Sequence, residues 1–391
     1  MAERIEALVV PQLVSWCRKT AFMTVEEAAQ KIGVHTDKLI EWESGLSRPS
    51  MPQAKSMARI YKRPLAIFYL PEAPKEPKIP HNFRRLPEGD TRISPRLAFE
   101  LRYALYRREE AIDLTLEQDE IVAPFSLSYD KNESVNNIAH YIREKLGITF
   151  QEQHLWRDPD IAVKHWIRAV ESLGILVFQT DSIRYGVLVQ EMRGVSFYFD
   201  TYPIILLNGL EKANPKIFTL IHELCHLVLH TDGICDIDLT SSEDIEVMCN
   251  AVSGEVLVPE SYLRNMDVLA HNIGIGLLDD VTHKLAREFS VSRWVILRRL
   301  LTLNYISQSI YAEKDTEFRS EFFYHEVHLQ KSSGGPLRHH MAMRNNGPRY
   351  TGIVLDAFNY GTISAMEACR HLGLHYKHWD NLVLAYHGID S

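Results

Sequence analysis

Ile217-Phe-Thr-Leu-Ile-His-Glu-Leu-Cys-His-Leu-Val-Leu-His230 carries the order His-Glu-x-x-His at positions 222 to 226. Leu220, Ile221, Leu224, Leu227, Val228 and Leu229 predict a buried helix, and Asn214-Pro215 before them reads as its start. Side chains four apart share a helix face, so His222 and His226 can present both imidazoles to one metal ion. Glu223 then points at the water that a bound Zn²⁺ carries, where it serves as general base. In a chain with 18 histidines the same five-residue order also arises by chance, and two core histidines need hold nothing. The rest of the sequence has to decide between these readings.

A catalytic zinc site wants three protein ligands, so a third donor is required. Glu243-Asp-Ile-Glu-Val-Met-Cys-Asn-Ala-Val-Ser-Gly-Glu-Val-Leu-Val-Pro259 reads as a second helix with Ile245, Met248, Cys249, Val252, Val256 and Leu257 inward. Glu246, 20 residues beyond His226, completes a His₂Glu set, and Asn250 one turn on is placed to brace it. Glu243, Asp244 and Glu255 compete on spacing alone; their plainer reading is helix-terminal and surface charge. His230 is a helix-end histidine beside the site, since its spacing is not that of a metzincin third ligand. Cys225, Cys235 and Cys249 are read as small core residues. Tyr198, Tyr202 and His283 are candidates for an oxyanion donor.

Composition bounds what surrounds this centre. A 391-residue chain that is 46% hydrophobic builds several cores, and a net charge of −8 excludes a polybasic coat for nucleic acid or membrane. There is no long apolar run and no signal peptide, and five cysteines form no even framework; a cytoplasmic protein without membrane contact is expected. Ile175–Phe178, Gly186–Gln190, Val195–Phe199 and Ile204–Leu207 are short β-rich runs that predict a small sheet just before the histidine helix. Val195–Phe199 is the candidate edge strand, beside which a peptide substrate can add as one more strand; an ordinary inner strand is the equal alternative.

Residues 1–72 read as a helical bundle. Thr24 with Glu27 forms a capping box, Gly33 ends that helix, and His35 to Glu43 forms the next, closed by Ser44-Gly45. Ala28, Ile32, Val34, Leu39, Ile40 and Trp42 supply the apolar faces of a helix-turn-helix pattern. Ala28-Ala-Gln-Lys-Ile-Gly-Val, Trp42-Glu-Ser-Gly and Arg48-Pro-Ser resemble the lambda-repressor-like (Xre-type) family. That resemblance places Thr36, Asp37, Lys38 and Glu41 toward a DNA groove. The residues themselves are less cationic than a DNA reader's: the helix bears Asp37, Glu41 and Glu43 against Lys38. Residues 1–70 hold ten Lys and Arg against seven Asp and Glu, leaving Arg18, Lys19, Lys55, Arg59, Lys62 and Arg63 for phosphates. A protein-docking or dimerising module is the alternative.

A proline-rich linker and helical connector are expected over 73–150, with Arg102, Arg107, Arg108, Glu109 and Glu110 on a solvated face. A peptidase-like core follows over 151–263, and a helical region with further helix-turn-helix-like segments over 264–391. Arg287, Arg293, Arg298 and Arg299 are its most basic cluster. The fold class is α+β, mostly helical, with a zincin-like centre. Phe218 to His230, Gly233-Ile-Cys-Asp and Glu246 to Pro259 resemble the ImmA/IrrE zinc metallopeptidases, in the form fused to a regulator. That resemblance implies Zn²⁺ on His222, His226 and Glu246, with Glu223 as base. It further implies a protein substrate, a helix-turn-helix repressor, whose cleavage switches genes. DNA through residues 1–72 and a second copy of the chain are the other expected partners. The competing reading is a transcriptional regulator whose peptidase fold is a sensor or scaffold.

Overall fold

A computed structural model describes residues 5–75, 93–130, 132–181, 186–229, 239–266, 278–327 and 337–388. The N-terminal unit comprises α1 (Pro11–Thr20), α2 (Val25–Ile32), α3 (Thr36–Ser44), α4 (Met51–Tyr61) and a 3₁₀ turn at Leu65–Tyr69. Thr24 and Glu27 form the expected capping box on α2, and Ser50 with Gln53 makes a second on α4. Leu39, Trp42, Met57, Tyr61 and Phe68 close its core. Ile40, expected inward, is 48% exposed, because Leu39 and Trp42 already occupy the inner stripe of the short α3.

The body follows with α5 (Pro95–Leu116), α6 (Val135–Leu146), α7 (Phe150–Leu155) and α8 (Pro159–Ser172). The strands are β1 (Leu176–Gln179), β2 (Gly194–Phe197) and β3 (Ile204–Leu207). After them come α9 (Ala213–Leu229), α10 (Leu239–Leu257), α11 (Glu260–Leu263), α12 (Leu278–Phe289), α13 (Arg293–Thr302) and α14 (Gln308–Val327). The chain ends with α15 (Arg338–Asn359), α16 (Ala365–His371) and α17 (Trp379–Tyr386). The expected strand at Gly186–Gln190 does not form. The Asn208 side chain donates instead to the Val187 and Met192 carbonyls, at 3.0 and 2.7 Å, and ties this segment down as a loop.

Among the described residues the sheet has the order β1-β3-β2, with β3 parallel to β1 and antiparallel to β2. It is buried on both faces, and the strand period of two assigns the faces. Val177, Ile205 and Leu207 pack toward α6, α8, α9 and α10, whereas Leu176, Phe178, Val195, Phe197, Ile204 and Leu206 pack toward α5 and α15–α17. The expected boundaries at 150 and 263 therefore do not separate cores. One cluster runs from Phe125 to Phe318, and the other joins α5 to the C-terminal helices across the sheet.

The charged run on α5 is not a solvated face either. Arg107 is 1% exposed, its guanidinium 3.8 Å from the Phe178 ring and donating to the Asn345 carbonyl at 2.9 Å. Arg108 lies over Phe199 and donates to the Thr201 carbonyl. Arg102 donates to the Tyr61 and Thr20 carbonyls and so clasps the ends of α4 and α1 onto the body. Long apolar stems with a hydrogen-bonding head make arginine able to serve in such positions. The C-terminal basic cluster likewise disperses: Arg299 is buried on Glu255 and the Val258 carbonyl, Arg293 pairs with Asp279, and Arg287 and Arg298 are exposed.

The two halves of α15 meet at Gly347, which has φ +73° and adjoins Pro348. A β-carbon there would lie 2.3 Å from the Val177 carbonyl oxygen and 2.4 Å from Glu171 Oε1. Glu171 accepts from the Val177 and Arg349 amides, stitching β1 to the second half of α15. Burial pushes its carboxyl up to about 8 against these hydrogen bonds. Gly347→Ala is expected to cost about 2–4 kcal/mol through positive φ and backbone overlap together. Denaturant unfolding of the full chain measures it.

Candidate metal centre and catalytic site

α9 runs against β2 and β3 on one side and α8 and α10 on the other. Its apolar stripe, Ile217, Leu220, Ile221, Leu224, Leu227 and Val228, is buried, which leaves no rotation of the helix open. That lock directs His222 and His226 toward α10. Cys249, Val252 and Val256 bury the facing stripe of α10 and bring Glu246 opposite the two histidines. His222 Nε2 lies 3.1 Å from His226 Nε2. One oxygen of Glu246 is 3.2 Å from the first ring and the other 3.2 Å from the second.

Among the described residues these three form the one group of three or more His, Cys, Asp or Glu close enough to share an ion. The fit can be tested on their separations. Tetrahedral zinc with bonds of about 2.0–2.1 Å places neighbouring ligand atoms about 3.3 Å apart. The two ring nitrogens, 3.1 Å apart, agree with that spacing, and the Glu246 carboxylate presents one oxygen to each ring at 3.2 Å. The donor chemistry, two imidazoles and one carboxylate, is that of an open catalytic zinc site. Burial would raise the Glu246 carboxyl, but hydrogen bonds and charge from His222 and His226 hold it well below the usual carboxylate range. His222 is buried, while the Glu246 side chain is 47% exposed, so the group opens to solvent on the α10 side.

Glu223 is 3% exposed and accepts a 2.9 Å hydrogen bond from Ser196 Oγ on β2. Gly194, on the same pleat as Ser196, lets the strand approach this closely. A β-carbon at Gly194 would fall 2.4 Å from Thr219 Cγ2 and 3.2 Å from Glu223 Oε1. Thr219 in turn donates to Glu211 at 3.0 Å, which also faces Arg193 at 3.5 Å. Neither Ser196 nor Gly194 was among the expected site residues. The usable signal was Gly194 opening a β-branched and aromatic strand, where a glycine marks close backbone approach.

Other expected residues fall as follows. Asn250 is on α10 one turn beyond Glu246 and is exposed. Asp244 is exposed, and Glu255 is committed to Arg299 on the far end of the helix. His230, Cys235 and the side chain of Glu243 lie outside the described residues. Cys225 and Cys249 are fully buried; burial pushes the Cys225 thiol up to about 12 and Cys249 well up, as suits inert core thiols. Tyr202 shares a hydrogen bond with Thr115, Tyr198 donates to Asp200, and His283 is exposed on α12.

Residues 170–301 match the family of M78 peptidases, described as the IrrE N-terminal-like domain. No curated protein and no solved structure matches the chain. The matched stretch holds β1–β3, α9 and α10, and supports the ImmA/IrrE resemblance there. It includes none of residues 1–72. No helix among the described residues is long and apolar enough to cross a membrane.

In α3, Thr36 is half-buried and Asp37 exposed. Lys38 pairs with Glu41 at 2.6 Å, and Glu41 also accepts from Ser47 at 2.8 Å, which together hold its carboxyl below the usual range. The helix's one cation is thus neutralised locally. Arg18 is withdrawn from any phosphate role as well: it is 9% exposed and bound to Glu43 and the Met23 carbonyl.

Elemental analysis after zinc loading checks the ligand set. Wild type and Glu223→Gln are expected to retain one zinc per chain, while Glu246→Ala weakens binding by more than about a hundredfold. Retention by Glu246→Ala together with loss in Glu243→Ala would overturn the assignment.

Proposed function

We propose that the chain is a zinc-dependent endopeptidase acting on a protein partner. The observation that carries this is the convergence of His222, His226 and Glu246 beside a buried carboxylate, Glu223, held by an edge strand. Zn²⁺ on those three residues would supply an acidified water and a polarised peptide carbonyl. The chain's own groups do the rest. Glu223 takes a proton at its carboxylate and returns it to the departing amine. Ser196, donating to Glu223 Oε2, holds that carboxylate in one orientation. Among the described residues β2 pairs with β3 on one side only, and its other edge can receive an extended substrate segment as an additional strand.

The resemblance to ImmA/IrrE peptidases makes a helix-turn-helix repressor the substrate class, with transcriptional control the result. Incubation with repressors encoded beside the gene tests it. Wild type is expected to cleave one of them at a single bond, and Glu223→Gln to lose at least about 10³ in rate while keeping its zinc. Bound zinc with no cleavage of any partner would favour the reading in which the peptidase fold is a sensor.

For residues 1–72, the Lys38–Glu41 pair favours a protein-engaging role over tight DNA reading. DNA contact would rest on exposed Lys19, Lys55, Arg59 and Lys62, which can hold phosphates but read no bases from α3. Gel shifts against the gene's own promoter are expected to give weak, salt-sensitive binding with little sequence preference. A tight, sequence-specific shift lost in a Thr36/Lys38 double variant would overturn this.

A further inference from the structure

About 15 Å along α10 from Glu246, near its C-terminal end, α6, α7 and α11 border an open cleft of about 820 Å³. Its lining includes Arg143, Glu144, Phe150, Glu255, Glu260, Tyr262 and Arg264. Most of its charges are paired. Glu255 is bound to Arg299, and Glu260 accepts from Arg264 at 2.6 Å. Arg143 differs, since its guanidinium meets only neutral acceptors among the described residues. It donates to Gln153 Oε1 at 2.9 Å, the Val256 carbonyl at 2.6 Å and the Ile148 carbonyl at 3.1 Å. A guanidinium has five N–H donors, so these bonds leave two. Burial draws its pKa down to about 10, with Tyr262 acting the other way and no carboxylate helping to hold the charge.

Beside this cation the Phe150 and Tyr262 rings stack, with centroids 4.1 Å apart and planes 21° from parallel, and Tyr262 is 37% exposed. The cleft thus sets a guanidinium that has no carboxylate partner among the described residues, and that lies 5.9 Å from the centre of the Trp166 ring, next to an aromatic platform. Exposed Glu144 and the paired Glu255 and Glu260 on its walls disfavour a dianion, whereas one negative charge suits the Arg143 guanidinium. We propose that this cleft binds a small aromatic carboxylate, with its carboxylate on Arg143 and its ring against Tyr262. Arg143 also holds the Val256 carbonyl, and Gln153 holds that of Leu257, so the occupant bears on the last turn of the helix that carries Glu246. The site is a binding site separate from the metal centre, and its occupancy does not depend on the peptidase reading.

Thermal melts of the full chain titrated with benzoate and with phenylacetate test it. A saturable rise in Tm below about 10 mM is expected, with inorganic phosphate and benzyl alcohol giving none. Tyr262→Phe is expected to retain the response. Tyr262→Ala and Arg143→Lys are expected to weaken it by at least about tenfold, through lost stacking and lost bidentate geometry. Circular dichroism of each variant verifies folding; should Arg143→Lys misfold, the Tyr262→Phe and Tyr262→Ala pair still decides. No response to either carboxylate, an equal response to phosphate, or an undiminished response in Tyr262→Ala would overturn the proposal.

Discussion

The distance between β2 and α9 is set at Gly194, where there is no room for a methyl group against Thr219. Much of the site's geometry depends on that approach. It brings Ser196 within hydrogen-bonding range of Glu223, and it keeps the carboxylate buried against a strand. The apolar stripe of α9 fixes the other coordinate, the rotation that sends His222 and His226 to α10. A helix held from two sides cannot turn to spare one contact without losing the others, so base and ligands are positioned together.

Around this centre, arginines do much of the joining between elements. Arg102, Arg107, Arg108, Arg143 and Arg299 all donate to backbone carbonyls, several of them at helix ends. Terminal carbonyls have no partner inside their own helix, and a cation also suits the negative end of the helix dipole. Arg143, Gln153 and Arg299 take the consecutive carbonyls of Val256, Leu257 and Val258, so the end of α10 is anchored from three directions. Such an anchor keeps Glu246, ten residues earlier, from sliding along the helix axis.

What could be read from the amino acids was whatever repeats within one element. His222, Glu223 and His226 follow from helical spacing, and Glu246 from the apolar period of α10. The capping box at Thr24 and the strand Ile204–Leu207 are equally local signals. Contacts between distant segments left no such trace. Ser196 and Glu223 are joined only by the pairing of β2 with β3 and the packing of α9 on both. Gly186–Gln190 has strand composition, yet Asn208 claims the Val187 carbonyl within it. Arg107 and Arg108 look solvated until Phe178 and Phe199 supply rings for their stems to lie on. Lys38 counts as a cation in the sequence and is cancelled by Glu41 once α3 forms.

The sheet's second face has a consequence for dissecting this chain. Leu176, Phe178, Val195, Phe197, Ile204 and Leu206 are covered by α5 and by helices beyond residue 337. A fragment trimmed to 170–301 would keep every proposed ligand and the base, yet expose six large apolar side chains on one flat side. That side would seek another surface to cover it, and aggregation is the ordinary result. The smallest unit able to carry this centre in water therefore extends from α5 to α17, with the C-terminal helices acting as the hydrophobic lining of a sheet that lies more than a hundred residues upstream.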